Sequence, residues 1–434
     1  MKRTLILFFC CLLVSSACAQ LTLQQCQELA QRNYPLVRKY DLIALTQHYN
    51  LSNASKGYLP QLTLSGRASY QSDVTELPVD FGALGEKLGM AFEVPALNKG
   101  QYSVGIEIDQ AIYDGGAIRS RRKLARAEAD VSRGRQEVEM YAVREQVNQL
   151  YFGILLLDAQ LAQNSLHIAD LRRTHRQVST YIYNGIASQA DLDAVSVEIL
   201  ALEQKQTGLA GSRTAYVQML ALFTGMQLSD STTLEMPVDD PTPELSVNNR
   251  PELRRMDAQI RQLDARSSLL NVSLRPRVGA FVQGAYGNPG LNMLKNDASA
   301  YYVAGMRLSW NFGALYTRGN DLRLLATDRR EIDTQRDLFL FNTRLQTTRQ
   351  QAALLTLRRQ MQDDDEMIRL RSNVRRAAEA KVANGVLTVT DMLREITAEN
   401  LARNAKALHR VQLLKQLYDL KYTLGHESDN PINR

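Results

Sequence analysis

Two copies of one pattern run through this chain, and the duplication restricts its fold more than any single motif. Asn33 and Pro35 recur as Asn249 and Pro251. Arg38, Asp41, Pro60 and Tyr70 recur as Arg254, Asp257, Pro276 and Tyr286, all at an offset of 216. Farther on, Gly105, Asn184, Gly185, Asp191 and Gly225 recur as Gly305, Asn384, Gly385, Asp391 and Gly425, all at an offset of 200. A fixed period of this kind marks a repeated structural unit. The offset changes once, so the first copy is 16 residues longer between Tyr70 and Gly105. The surplus falls in the Gly-, Pro- and acid-rich stretch Gln71 to Gly100, as expected of a surface loop. The element after the loop has the same length in both copies. Between the copies, Asp230 to Val247 holds Pro237, Pro241 and Pro243 and reads as an irregular connector.

Each copy opens on a helix. Leu23 to Lys56 has helical character broken at Pro35, and its partner begins near Pro251. Strict alternation follows. Leu62, Leu64, Gly66, Ala68 and Tyr70 oppose Gln61, Thr63, Ser65, Arg67 and Ser69. Tyr102, Val104, Ile106 and Ile108 oppose Ser103, Gly105, Glu107 and Asp109. Copy two repeats both runs, at Val278 to Tyr286 and Tyr302 to Trp310, with Phe281 as an apolar intruder on the polar side. A half-buried soluble sheet and a membrane barrel both fit such alternation. Runs of about ten residues, the length a tilted strand needs to cross a bilayer, favour the barrel. So do Tyr70, Tyr102, Tyr286 and Trp310 near the run ends, where interfacial aromatics belong.

A very long helix follows each strand pair. Ile118 to Tyr181 contains no Pro, and some 65 helical residues extend over roughly 100 Å. Val143, Val147, Leu150, Ile154, Leu157, Leu161, Ile168 and Leu171 fall on a heptad, and Leu354, Leu357, Met361 and Ile368 keep the register in copy two. That spacing predicts coiled-coil packing. Asn184-Gly185 and Asn384-Gly385 end the long helices. Returning helices start near Asp191 and Asp391, which read as their N-caps, and end at Gly225 and Gly425.

Residues 1–19 have a basic start, an apolar core and an Ala-x-Ala end, the pattern of a secretory signal peptide. Ser15 stands three before Cys18, where lipoprotein signals carry an apolar residue. Three of the 4 cysteines fall in this segment, leaving Cys26 and no intrachain disulfide. The net charge of +6 includes Lys2 and Arg3 and is too small for a nucleic-acid binder. His48, His167, His175, His409 and His426 form no metal motif, and no phosphate-binding or nucleophile-elbow motif is present. Asp363-Asp364-Asp365-Glu366 reads as a solvated charged helix face. No enzyme, cofactor or metal is implied.

The chain resembles the TolC-like outer-membrane efflux proteins. The likeness is carried by Leu23-x-x-Cys26-x-x-Leu29-Ala30-x-x-Asn33-x-Pro35, Gly57-Tyr58-Leu59-Pro60-Gln61-Leu62, Ile112-Tyr113-Asp114-Gly115-Gly116 and the two Gly-x-x-x-x-x-Asp turns. It implies a mainly helical fold with a membrane β-domain. The parts would be a first repeat over 20–225, with strands about 61–71 and 101–111 and a hairpin over 114–225; an equatorial linker over 226–247; a second repeat over 248–425, with strands about 277–287 and 301–311 and a hairpin over 314–425; and a tail over 426–434. It further implies a homotrimer whose four strands per chain form one twelve-stranded barrel in outer-membrane lipid, continuous with a periplasmic helical tunnel in a Gram-negative cell. Unpaired strand edges in lipid are prohibitively costly, so a four-stranded piece needs neighbours.

Within that likeness Arg67, Glu107, Asp109, Arg277 and Arg307 line the lumen. Asn184, Gly185, Asp191, Asn384, Gly385, Leu387 and Asp391 form the periplasmic tip, where a gate and an adaptor site are expected. Family members carry an Arg two residues after the second tip Gly, a Tyr three before it, and a second acid three after the tip Asp. Here those places hold Leu387, Val382 and Arg394. The implied role is a passive exit duct for an efflux pump or type I secretion system. It would be driven through a periplasmic adaptor by an inner-membrane transporter of RND, ABC or MFS type. A periplasmic coiled-coil adaptor is the competing reading, though adaptors usually carry one hairpin and a compact barrel.

Overall fold

The computed structural model describes residues 20–75, 89, 97–238, 242–244, 246–293 and 295–426. The expected signal peptide, most of the longer first loop and the tail beyond residue 426 lie outside them. In chain order the elements are α1 Leu23–Asn33, α2 Arg38–Ser55, β1 Gln61–Tyr70, β2 Gly100–Tyr113, α3 Ala117–Tyr183, α4 Gln189–Thr224, α5 Pro251–Val272, β3 Arg277–Asn288, β4 Ser299–Ser309, α6 Ala314–Ala383 and α7 Val389–Leu424. Helix, two strands, long helix and returning helix therefore occur twice. Among the described residues no helix is long and apolar enough to cross a membrane.

The described residues among 42–132 and 256–333 form one compact unit. Its sheet is antiparallel in the order β1-β2-β3-β4, so the two copies join through β2 and β3. Leu64 faces Ile106, Ile106 faces Gly284, and Gly284 faces Tyr302. Because side chains alternate along a strand, this register puts the even positions of all four strands on one face and the odd positions on the other. A bulge near Ala111 and Tyr113 ends the regular pairing. Asp114 then starts α3: its carboxylate accepts from the backbone N–H of Gly116 at 2.8 Å and of Ile118 at 2.6 Å. Gly115 sits at φ +69, and a Cβ there would lie 2.9 Å from that of Arg275. The motif Ile112 to Gly116 thus converts a strand into a helix at close quarters with α5.

The described residues among 20–41, 133–255 and 334–426 form the second unit. Pro35 splits its first helix as expected. Tyr34 is extended, at φ -63 and ψ 131, and a single 3-10 turn over Pro35–Val37 precedes α2. Thr22 and Gln25 close α1 in a reciprocal capping box. The heptad residues Val143, Val147, Leu150 and Ile154 are buried, in a core with Leu23, Cys26, Ala30, Val217, Leu220, Val411 and Leu414. Copy two's heptad residues Leu354, Leu357 and Met361 pack with Leu413, Leu417, Leu420 and Leu424.

The repeat pairs also acquire a physical meaning. Gly225 ends α4 at φ +70, and its missing Cβ would stand 2.7 Å from the Asn33 amide. That amide donates to the free carbonyls of Leu222 and Phe223 at 3.2 and 3.3 Å. In copy two, Gly425 at φ +71 leaves the same room for the Asn249 backbone, at 2.6 Å. Each returning helix ends against the start of its own repeat.

Candidate functional site

The sheet has two chemically distinct faces. Leu62, Leu64, Val104, Ile106, Ile108, Val282, Tyr302, Met306 and Leu308 all lie on the even face and are all exposed, Leu64 to 71% and Tyr302 to 78%. A soluble protein rarely leaves so large an apolar surface uncovered. At the loop end of this face stand Tyr70, Tyr102 and Tyr286, joined by Tyr302, which was not singled out from sequence although its even position puts it there. Trp310 follows β4 at the helix end. Its Nε1 donates to the Leu274 carbonyl at 2.9 Å, and its ring packs on Phe312.

Arg67, Glu107, Asp109, Arg277 and Arg307 share the opposite, odd face. Arg307 pairs with Glu107 at 3.1 Å and with Asp109 at 3.5 Å. Phe281 fits the charged face better than its side chain suggests. Its ring covers the bare backbone of Gly305 and lies under the Arg307 guanidinium, 4.7 Å from ring centroid to carbon.

The two hairpin turns share one construction. Gly185 at φ +73 and Gly385 at φ +68 follow the long helices. Ile186 and Val386 donate back to the carbonyls of Tyr181 and Lys381, at 2.8 and 2.9 Å. Gly185 and Gly385 donate to Ile182 and Val382, at 3.0 and 2.9 Å, which completes a Schellman closure in each copy. The returning helices start two residues earlier than expected, and their N-caps are Ser188 and Thr388 rather than the aspartates. Asp191 and Asp391 stand at the third helical position and accept from those hydroxyls, each at 2.7 Å. Ser-x-x-Asp and Thr-x-x-Asp are the sequence form of this arrangement.

Behind the turns, residues of all four hairpin helices meet in one apolar cluster, including Val178, Tyr181, Val195, Val382, Met392 and Ile396. Leu387 packs against it and Val382 is 2% exposed. Val382 and Leu387 are therefore packing residues.

Next along the helices is an ionic hub that sequence reading missed. Arg375 on α6 reaches Asp170 on α3 at 2.6 Å, Glu379 at 2.8 Å and Glu399 on α7 at 3.3 Å. Arg173 and Arg403 complete the neutralisation, on Asp170 and Glu399. Burial alone would lower the pKa of Arg375, but the hydrogen bonds its guanidinium donates to Glu379 and Asp170 outweigh it and raise the value.

The acidic run on α6 also departs from a simple solvated face. Asp364 is buried against α7, where His409 Nδ1 lies 2.9 Å from its carboxylate, while Asp365 pairs with Lys406 and Glu366 with Arg369. Among the described residues no group of three or more His, Cys, Asp or Glu side chains could hold a metal ion.

Residues 28–226, a little under half of the chain, match the model of the outer membrane efflux protein family. No curated protein sequence matches the chain. The fold matches solved channels along nearly the full length. CusC, whose structures concern transmembrane channel formation, is 14% identical with a TM-score of 0.68 over 94% of this chain and 93% of that one. The outer membrane protein VceC of Vibrio cholerae is 14% identical, with a TM-score of 0.64 over 93% and 95%. The open state of the MtrE outer membrane channel of Neisseria gonorrhoeae is 14% identical, with a TM-score of 0.65 over 94% and 91%. Residues 28–226 are thus similar to the outer membrane efflux protein family, and along nearly its whole length the chain shares the fold of solved outer-membrane channels.

Proposed function

We propose that three copies of this chain form a passive exit duct in the outer membrane of a Gram-negative cell, extending into the periplasm. The observation that carries this reading is the sheet. β1 and β4 each pair on one side only, one face is exposed and apolar, and the other is charged. In water such a sheet wastes its apolar face. In lipid its open edges are untenable unless copies close them. Pairing β4 of one copy with β1 of the next, three times, gives a closed barrel of twelve strands that solves both problems.

In this barrel Arg67, Glu107, Asp109, Arg277 and Arg307 face the water-filled lumen. The even face meets lipid, with Tyr70, Tyr102 and Tyr286 at one membrane interface and Trp310 at the other. The domain division is the repeat division: a first repeat to residue 225, an equatorial linker to 247, a second repeat to 425 and a short tail, behind a signal peptide. The hairpin turns around Asn184, Gly185, Asp191, Asn384, Gly385, Leu387 and Asp391 form the periplasmic tip, where a periplasmic adaptor docks and the duct narrows. Apolar packing of Val382 and Leu387 takes the place of a polar latch there. Transport energy comes from an inner-membrane transporter of RND, ABC or MFS type. The chain performs no chemical step and requires no cofactor.

Purified protein in a planar bilayer tests the duct directly. A variant opened at the tip by Val382→Asp is expected to give discrete conductance steps larger than those of the unaltered protein. Absence of any conductance in both would refute the duct.

A further inference from the structure

One groove in the strand-bearing unit joins Arg277 to two further arginines, Arg121 and Arg266. It lies between the start of α3, the end of α5 and the first turns of α6, and its volume is about 560 Å³. Small-molecule sites occupy roughly 300–1,000 Å³. Arg121, Arg266 and Arg277 line it together with Leu269, Leu270 and Leu324, and Asp321 is its one carboxylate. All three guanidiniums are on exposed residues, and none has a hydrogen bond or ion pair to another described residue. Leu324 is 62% exposed, so apolar surface stands open beside them.

The sequence builds most of this lining on the end of α5 and its exit into β3. Arg266, Leu269, Leu270, Ser273 and Arg277 follow each other at steps of three, one, three and four along α5 and its exit into β3. Arg266, Leu269 and Leu270 share one side of α5, and Ser273 and Arg277 follow beyond its end. The lining reaches Arg277 on β3, whose partner across the ladder is Ser309 and which therefore shares the face of Glu107 and Asp109. The groove is thus continuous with the charged face of the sheet and is complete within one chain.

Three guanidiniums against one carboxylate leave an excess of positive charge in a partly apolar cleft. A guanidinium fork matches the oxygens of a carboxylate, sulfate or phosphate, and leucine surface beside it favours an alkyl chain. We propose that the groove binds a single-chain amphiphilic anion, with its head on Arg121 and Arg266 and its tail along Leu269, Leu270 and Leu324, as a transit site for cargo on the duct wall. The transit role rests on the exit-duct reading, whereas the binding site itself does not.

The test is native mass spectrometry of the full chain in a nonionic detergent, titrated with sodium dodecanoate. One dodecanoate per chain is expected at saturation, and dodecanol is not expected to displace it. The double variant Arg121→Gln/Arg266→Gln is expected to weaken binding about tenfold or more, while Arg121→Lys/Arg266→Lys stays within about threefold of the unaltered protein. Leu324→Gln, on exposed surface, is expected to weaken it about threefold through the tail. Unchanged affinity in the glutamine variant at unchanged melting temperature would overturn the site, as would equal competition by dodecanol. Displacement by phosphatidylglycerol at lower concentration than dodecanoate would overturn the cargo assignment by making this a membrane-lipid site. Conductance without dodecanoate binding would sink the transit site and spare the duct, whereas arginine-dependent binding in a protein that never conducts would retain the site and sink the duct.

Discussion

Arg307 on β4 reaches across the intervening strand to Glu107 on β2, so one cation at 3.1 Å ties strands from the two copies of the repeat. The same guanidinium stands 3.5 Å from Asp109. It is 58% exposed, so the pair contributes only about 0–1 kcal/mol to stability. Its larger effect is on the charge that passing ions meet. Arg307→Gln leaves both carboxylates uncompensated in every copy. The expected outcome is a rise of about twofold or more in the ratio of potassium to chloride permeability. Reversal potentials across a bilayer with a salt gradient measure it.

Gly225 and Gly185 make a controlled comparison. Both are left-handed, at φ +70 and +73, so Ala at either position adds roughly 1–2 kcal/mol of backbone strain. Only at Gly225 does the new Cβ also strike a neighbour, the Asn33 amide at 2.7 Å; at Gly185 nothing lies within 4 Å. Gly225→Ala should therefore lower the thermal midpoint clearly more than Gly185→Ala. Equal shifts would show that the Asn33 contact is not a constraint.

The ionic hub ties α3 of the first hairpin to α6 and α7 of the second. Asp170 and Glu399 have side chains only 8% and 3% exposed. Breaking a fully buried pair costs about 3–5 kcal/mol. Arg375 is 20% exposed and keeps Glu379 and Glu399, so Asp170→Asn should cost less, roughly 1–3 kcal/mol. Faster amide exchange confined to the hairpin helices next to the turns is the expected signature. Arg173→Gln, at a 70% exposed side chain, should leave exchange nearly unchanged.

Cys26 is fully buried in the core beside α3, and desolvation by burial pushes its thiol up from 9.0 to about 12. The folded thiol should resist alkylation at pH 8 and react only after unfolding. Because the folded value lies above the unfolded one, the stabilisation is fully present below pH 9.0 and is lost as pH rises from there toward about 12. Cys26→Ala should remove that part of the alkaline loss, as read from thermal midpoints across pH 8 to 11.

Much of this architecture was legible because it obeys two periods. Alternation in Leu62 to Tyr70 and Tyr102 to Asp109 assigned the faces of the sheet, and the step of four and three from Val143 to Ile154 assigned the core side of α3. Asn-Gly marked the helix ends because few residues tolerate left-handed backbone. The caps were visible as Ser188-x-x-Asp191 and Thr388-x-x-Asp391, but the acidic residue drew attention from the hydroxyl that does the capping. What stayed hidden depends on pairing across helices. Asp364 meets His409 from 45 residues away, and a charge run does not say which of its members points inward. The Arg375 hub escaped because it is absent from copy one, where the positions of Arg375 and Glu399 hold His175 and Ile199 and the copy-two position of Asp170 holds Leu370. Repeat comparison finds what two copies share and is blind to contacts made between them.

Closure by copies is the claim on which the duct depends, and the mass of the detergent-solubilised particle tests it most directly. The expected result is a single species containing three chains, with no free monomer, because each four-stranded sheet has two open edges and an apolar face. A stable single-chain particle, or an open series of sizes without a preferred three, would contradict it.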